Sequence, residues 1–124
     1  MADVLVVEDH VDSAETIITA LRHAGHDVRH ALDGEAALAA LVEKVPDAIV
    51  LDIRLPVLDG IGFMDVVRSY LRWKDIPVVV VSAASDAEVD RVEAKGVHRT
   101  FRKANFQLRD LVETIQEILP QPTA

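Results

Sequence analysis

Ile76-Pro77-Val78-Val79-Val80-Val81-Ser82 is the stretch that decides the fold. Its apolar run is far shorter than the ~20 residues a membrane span needs. It also shows no alternation of polar and apolar side chains. A strand with one wet face would alternate, whereas an unbroken β-branched run suits a strand buried on both faces. Two neighbouring runs read the same way: Val4-Leu5-Val6-Val7 ends in Glu8-Asp9, and Ala48-Ile49-Val50-Leu51 ends at Asp52. His26 to Ala31 reads as a weaker strand, and Val97 to Arg102 as a fifth that ends at Lys103.

Between the strands the apolar period becomes helical. Asp12 and Glu15 form a capping-box-like start, followed by a stripe of Ala14, Ile17, Ile18, Leu21 and Ala24 that Gly25 stops. Asp33-Gly34 opens a second helix with Leu38, Leu41, Val42 and Val45, closed by Pro46. A loop from Ile53 to Gly60 leads to a third, with Phe63, Val66, Val67 and Tyr70. The fourth, about Ser85 to Lys95, has only Val89 and Val92 as large apolar anchors. The last carries Leu108, Leu111, Val112, Ile115 and Leu119. Alternating strands and helices specify an α/β, doubly wound five-stranded parallel sheet between two helical layers. One domain is expected over residues 1–120, with 121–124 a frayed tail or the start of a linker.

Composition narrows the function. The chain has 124 residues, 21 acidic against 13 basic, and a formal net charge of −8. Half of it is hydrophobic, so it is a globular domain and not a disordered acidic tail. With no cysteine, disulfides, thiol catalysis and cysteine-ligated metals are excluded. An acidic balance disfavours attraction to a nucleic-acid backbone. The amino end lacks the basic start and apolar stretch of a signal peptide, so a cytoplasmic protein without a membrane segment is expected.

In an open parallel sheet the site lies beyond the carboxyl ends of the strands. Those ends here are Glu8-Asp9, Asp52, Ser82 and Lys103. Three carboxylates crowded together repel one another unless a cation joins them, and hard oxygen ligands suit Mg²⁺. Asp52, alone at its strand end, is the natural nucleophile for an acyl phosphate. The Ser82 hydroxyl and Lys103 ammonium suit the oxygens of a phosphoryl group.

With these residues in place, nearly the whole chain resembles the CheY-like receiver domains of bacterial two-component response regulators. The resemblance rests on Val4 to Asp9, on Asp52-Ile53-Arg54-Leu55-Pro56-Val57-Leu58-Asp59-Gly60, on Val81-Ser82-Ala83 and on Lys103. It implies a flavodoxin-like fold with strand order 2-1-3-4-5. It implies that a histidine kinase or phosphotransfer protein donates a phosphoryl group to Asp52. Glu8, Asp9, Asp52 and the backbone carbonyl of Arg54 would hold Mg²⁺, Ser82 would be the switch hydroxyl, and Lys103 would pair with the phosphoryl group. The fourth helix, fifth strand and last helix would be read by a downstream protein, and homodimerisation through the last helix stays open.

Three positions depart from the family pattern. Ala104 follows Lys103 where the family usually has proline, often through a cis bond, and the last helix starts one residue late. Thr100 stands where the family often has a switch aromatic, with Phe101 beside it pointing to the opposite face. Arg54 and Ala84 border the path of attacking water, as Ala83 borders the site after Ser82; neither Arg54 nor Ala84 can accept a proton from that water. Slow loss of the phosphoryl group is therefore expected. Two alternatives remain at this point: a Mg²⁺-dependent aspartyl phosphohydrolase, against which Arg54 and the lack of room for a lid argue, and a pseudo-receiver that docks or dimerises without phosphorylation. Both length and the Met1 start lean toward a free-standing regulator acting on a partner protein. His23, His26 and His30 read as surface histidines of an edge strand, His10 as a loop residue capping the first helix, and Trp73 as cover for the sheet edge.

Overall fold

The computed structural model describes residues 2–119, so the expected boundary after Pro120 and the 121–124 tail lie outside the described residues. Strand and helix alternate as β1 (Asp3–Val7), α1 (Val11–His23), β2 (Asp27–Ala31), α2 (Gly34–Glu43), β3 (Ala48–Leu51), α3 (Gly60–Ser69), β4 (Val78–Ser82), α4 (Asp86–Glu93), β5 (Arg99–Arg102) and α5 (Leu108–Ile118). All strand pairs are parallel, in the order β2-β1-β3-β4-β5. This is the expected flavodoxin-like arrangement.

The sheet explains why its strands are apolar without alternation. Successive residues point to opposite faces, and both faces are covered. Leu5, Val7, Ile49, Leu51, Val78 and Val80 pack with Leu41 of α2, Phe63, Met64 and Val67 of α3, and Val89 and Val92 of α4. Val4, Val6, Val50, Val79, Val81 and Phe101 pack on the other side with Ile17 and Leu21 of α1 and Leu111 and Ile115 of α5. Phe101 is therefore core, as strand parity required.

Side-chain caps start three of the helices: Asp33 accepts from the Ala36 amide at 2.7 Å, Asp59 from Gly62 at 2.8 Å, and Ser85 from Glu88 at 3.3 Å. Each satisfies an amide that the first helical turn leaves without a partner. Helix α1 ends in a Schellman turn at Gly25, φ +98°, with the Gly25 amide bonded to Arg22 O and the His26 amide to Leu21 O.

Four local expectations need correction. Asp12 is not a cap: α1 begins a residue earlier, His10 holds the cap position without a side-chain bond, and Asp12 sits in the first turn. Val42 is exposed, because α2 buries Ala37 and Leu41 instead. Tyr70 and Trp73 exchange roles. Helix α3 ends at Ser69, Tyr70 turns extended and is 56% exposed, and the folded-back turn buries Trp73 to 7% in the core beneath α3. His26 is buried, because its amide closes the α1 turn, and neither ring nitrogen has a hydrogen-bond partner.

The loop after β3 is tightly built. Val57 has φ +68°, and the Leu58 amide donates to Pro56 O at 2.7 Å across it. That is a γ-turn of the rare positive-φ kind, and a β-branched residue there is strained. Val57 is exposed and gains no packing in return. Val57→Gly is expected to raise stability by about 1 kcal/mol, since glycine adopts positive φ without a Cβ clash; urea unfolding midpoints measure it, and an unchanged or lower midpoint would contradict the strain. One residue on, Leu58 O accepts from the Gly34 amide at 3.1 Å, tying the loops after β2 and β3 together.

Candidate phosphoacceptor and cation site

Val7 pairs with Leu51, so Glu8 and Asp52 leave neighbouring strands side by side. The ladder continues through them: the Asp52 amide donates to Val7 O and the Glu8 amide to Ala31 O, both at 3.0 Å. Glu8 and Asp52 are 3% and 5% exposed. One ligand atom from each of Glu8, Asp9, His10 and Asp52 lies within 4.8 Å of all the others.

Lys103 counters this acidity from just past the end of β5, across the end of β4. Its ammonium bonds to Glu8 Oε1 and, at 3.3 Å, to Asp52 Oδ2. Burial raises the Glu8 pKa most; the Lys103 hydrogen bond opposes this, and Asp52 adds to it. For Lys103, burial pulls the pKa down, but the Glu8 and Asp52 carboxylates together outweigh it, so the pKa is raised.

One ammonium does not satisfy the carboxylates. Asp9 Oδ1 and Asp52 Oδ1 are buried and make no hydrogen bond. The His10 ring lies 3.3 Å from Asp9 Oδ1 but is largely exposed and without hydrogen-bond geometry. Buried acceptors normally find partners. Unpartnered hard oxygens from adjacent strands fit a small divalent cation that keeps several of its waters.

Glu8, Asp9, Asp52 and Lys103 are thus brought together as the sequence predicts. Ser82 ends the adjacent strand, buried, with its hydroxyl accepting the Ala84 amide at 3.0 Å. Ala83 is exposed and Ala84 buried, and Ala84 O accepts from Arg102 at 2.6 Å. Thr100 lies away from the acids, its hydroxyl donating to Glu93 of α4 at 3.0 Å. The Lys103–Ala104 bond, like every described peptide bond, is trans, and the Asn105 amide turns back to Arg102 O. Arg54 points its side chain at α4, where two guanidinium nitrogens meet Glu88 Oε1 at 3.0 Å and Oε2 at 3.3 Å.

Sequence reasoning missed the polar supports. His10 joins the acidic group, and its place beside Glu8-Asp9 was the available signal. His30 Nε2 lies 2.7 Å from Glu8 O, and donation to that carbonyl places the ring proton on Nε2. Arg102 holds Ala84 O and Asp86; nothing in local sequence marks such long-range pairs.

A buried acid cluster with one lysine thus lies at the carboxyl edge of a doubly wound 2-1-3-4-5 sheet. The chain belongs to the response regulator receiver domain family, whose model matches residues 4–116. It is 45% identical over 117 residues to the transcriptional regulatory protein PrrA of Mycobacterium tuberculosis, covering 94% of this chain and 49% of that one. The chain thus spans about half the length of that relative. Among solved structures it resembles the signal receiver domain of a signal transduction histidine kinase from Syntrophus aciditrophicus, with TM-score 0.88, 25% identity and coverage of 96% and 90% of the two chains. It also resembles the chemotaxis response regulator CheY4 of Vibrio cholerae, with TM-score 0.86, 30% identity and coverage of 96% and 99%. The chain is a receiver domain of two-component signalling.

Proposed function

We propose that Asp52 accepts a phosphoryl group from a phosphohistidine of a histidine kinase or phosphotransfer protein. The supporting observation is the clustering of Glu8, Asp9 and Asp52, with Lys103 bonded to Glu8 and Asp52 while Asp9 Oδ1 and Asp52 Oδ1 stay unpartnered. An Asp52 oxygen attacks phosphorus, the P–N bond breaks, and the imidazole leaves and takes up a proton. Glu8, Asp9, Asp52 and the carbonyl of Arg54 would hold Mg²⁺, which neutralises phosphoryl charge when bound. Lys103 holds Asp52 Oδ2 and offers the ammonium to the new anion. For Ser82 to bond the phosphoryl group, its hydroxyl must leave the Ala84 amide. Arg54 and Ala84 supply no base for water, so the acyl phosphate is long-lived.

The receiver domain fills residues 1–120 in this reading. Its output runs through α4, β5 and α5 to protein, either a separate target or further domains of a longer chain such as the relatives have. The net charge of −8 disfavours attraction of the domain itself to a nucleic-acid backbone. Among the described residues no helix is long and apolar enough to cross a membrane, and a cytoplasmic location follows from the donor. Intact mass after incubation with Mg²⁺ and a small phosphodonor tests the proposal. One phosphoryl group is expected, persisting well beyond seconds after donor removal and absent in Asp52→Asn. Donor turnover without accumulation would indicate a hydrolase, and no gain a pseudo-receiver.

A further inference from the structure

Helix α4 is the least anchored of the layer above the sheet, burying only Val89 and Val92. Polar contacts hold it instead: Arg102 to Asp86, Thr100 to Glu93, and the two-pronged Arg54 to Glu88 contact. Glu88 is engaged twice, because the same carboxylate accepts from the Ser85 hydroxyl at 3.1 Å while its amide is capped by that hydroxyl. Arg54 is therefore joined to the N-terminal cap of α4, and its own main chain lies two residues from Asp52. Its charge is favoured first by Glu88 and also by Asp52, so it already feels both anions. The position where an aromatic would couple site to surface is Thr100, bonded to the far end of the same helix.

We propose that Arg54 is the coupling element of this receiver, exchanging Glu88 for the phosphoryl group on Asp52 and so releasing the first turn of α4. This rests on the phosphoacceptor reading above. A phosphoryl group adds about −1.5 to −2 charge and presents several acceptor oxygens to the guanidinium fork, against the single charge of the partly exposed Glu88 carboxylate. In the resting protein Glu88 and the site compete for one cation. Once Arg54 turns inward, Glu88 keeps Ser85 but loses its cross-link to the β3–α3 loop. The surface formed by α4 and β5 is then free to shift, with no inward-swinging aromatic required.

Competition predicts opposite signs from the two partners. The full chain with Mg²⁺ is titrated with beryllofluoride, while hydrogen exchange follows the amides of residues 88–93. In the wild type, beryllofluoride is expected to speed their exchange. Glu88→Gln, which retains an oxygen to accept the Ser85 hydroxyl, should already exchange faster without ligand and bind beryllofluoride about two- to five-fold more tightly, the scale of an exposed ion pair. Arg54→Gln should also exchange faster without ligand yet bind two- to five-fold more weakly. Affinities that move together, or stay unchanged in both variants, would overturn the exchange, as would a wild-type α4 unaffected by bound beryllofluoride. A wild type that binds no beryllofluoride and gains no phosphoryl group would instead sink the phosphoacceptor reading, and the exchange with it.

Discussion

Lys103→Met is expected to cost about 3 kcal/mol in metal-free buffer at neutral pH, near the lower end for removing one partner of a buried ion pair. The substitution keeps most of the side chain's apolar bulk, so packing is not the cause. Glu8 and Asp52 would face each other with Asp9 nearby and no protein cation between them. The loss stays near the lower end because Lys103 is 22% exposed and Glu8 can take up a proton. Burial raises the Glu8 pKa in the folded state, so folding favours its protonated form. The stability linked to this proton is present below the ordinary carboxylate pKa and is lost as pH rises through the raised one. The deficit of the variant should therefore shrink on acidification. Mg²⁺ should shrink it too: without the competing lysine ammonium the three acids bind the cation more tightly than in the wild type, and stabilisation by a ligand of the folded state grows as its Kd falls. Urea unfolding at two pH values, with and without Mg²⁺, measures all of this. A deficit independent of both would mean that the lysine stabilises by packing and not by charge.

Gly60→Ala is expected to destabilise by about 3 kcal/mol, the upper end for forcing atoms into a filled site. A Cβ at Gly60 would lie 2.7 Å from Asp52 O and 2.7 Å from Ile53 Cα. Both are main-chain atoms, so no flexible side chain can yield. The Gly60 amide is meanwhile bonded to Ile53 O at 2.7 Å, which pins the start of α3 under the β3 end. Relief requires the Asp52 main chain to move, and with it the carboxylate that Lys103 holds. Thermal unfolding measures the first effect, and the rate of phosphoryl gain from a small donor measures the second. An alanine variant with wild-type stability and rate would show that this loop is slack.

The strands were legible because burial on both faces leaves a plain mark: Val78 to Val81 has no polar residue to place in water. The site was legible for a related reason. In a parallel sheet every strand ends at one edge, so Glu8, Asp52, Ser82 and Lys103 needed only their strands to be found. Helix faces were less clear. Tyr70 fits the α3 period, yet the helix stops at Ser69, and only the folded turn decides whether Tyr70 or Trp73 goes inside. Arg54 is the sharpest case. Its distance from Asp52 in sequence is two residues, but its partner Glu88 lies 34 residues on. Local sequence contains no record of such a pair, because either side chain could be exposed with little loss.

Trp73, the one tryptophan of the chain, sits between the end of α3 and the start of β4, at the edge where parallel strands begin. The acids lie where those strands end, a strand length of roughly 16 Å away at ~3.3 Å per residue. Its indole is enclosed by core and its nitrogen has no hydrogen-bond partner. Intrinsic fluorescence will therefore follow loss of the core and stay quiet when the far edge gains charge. The chain carries its own optical gauge of unfolding, separate from whatever label is chosen to watch the switch.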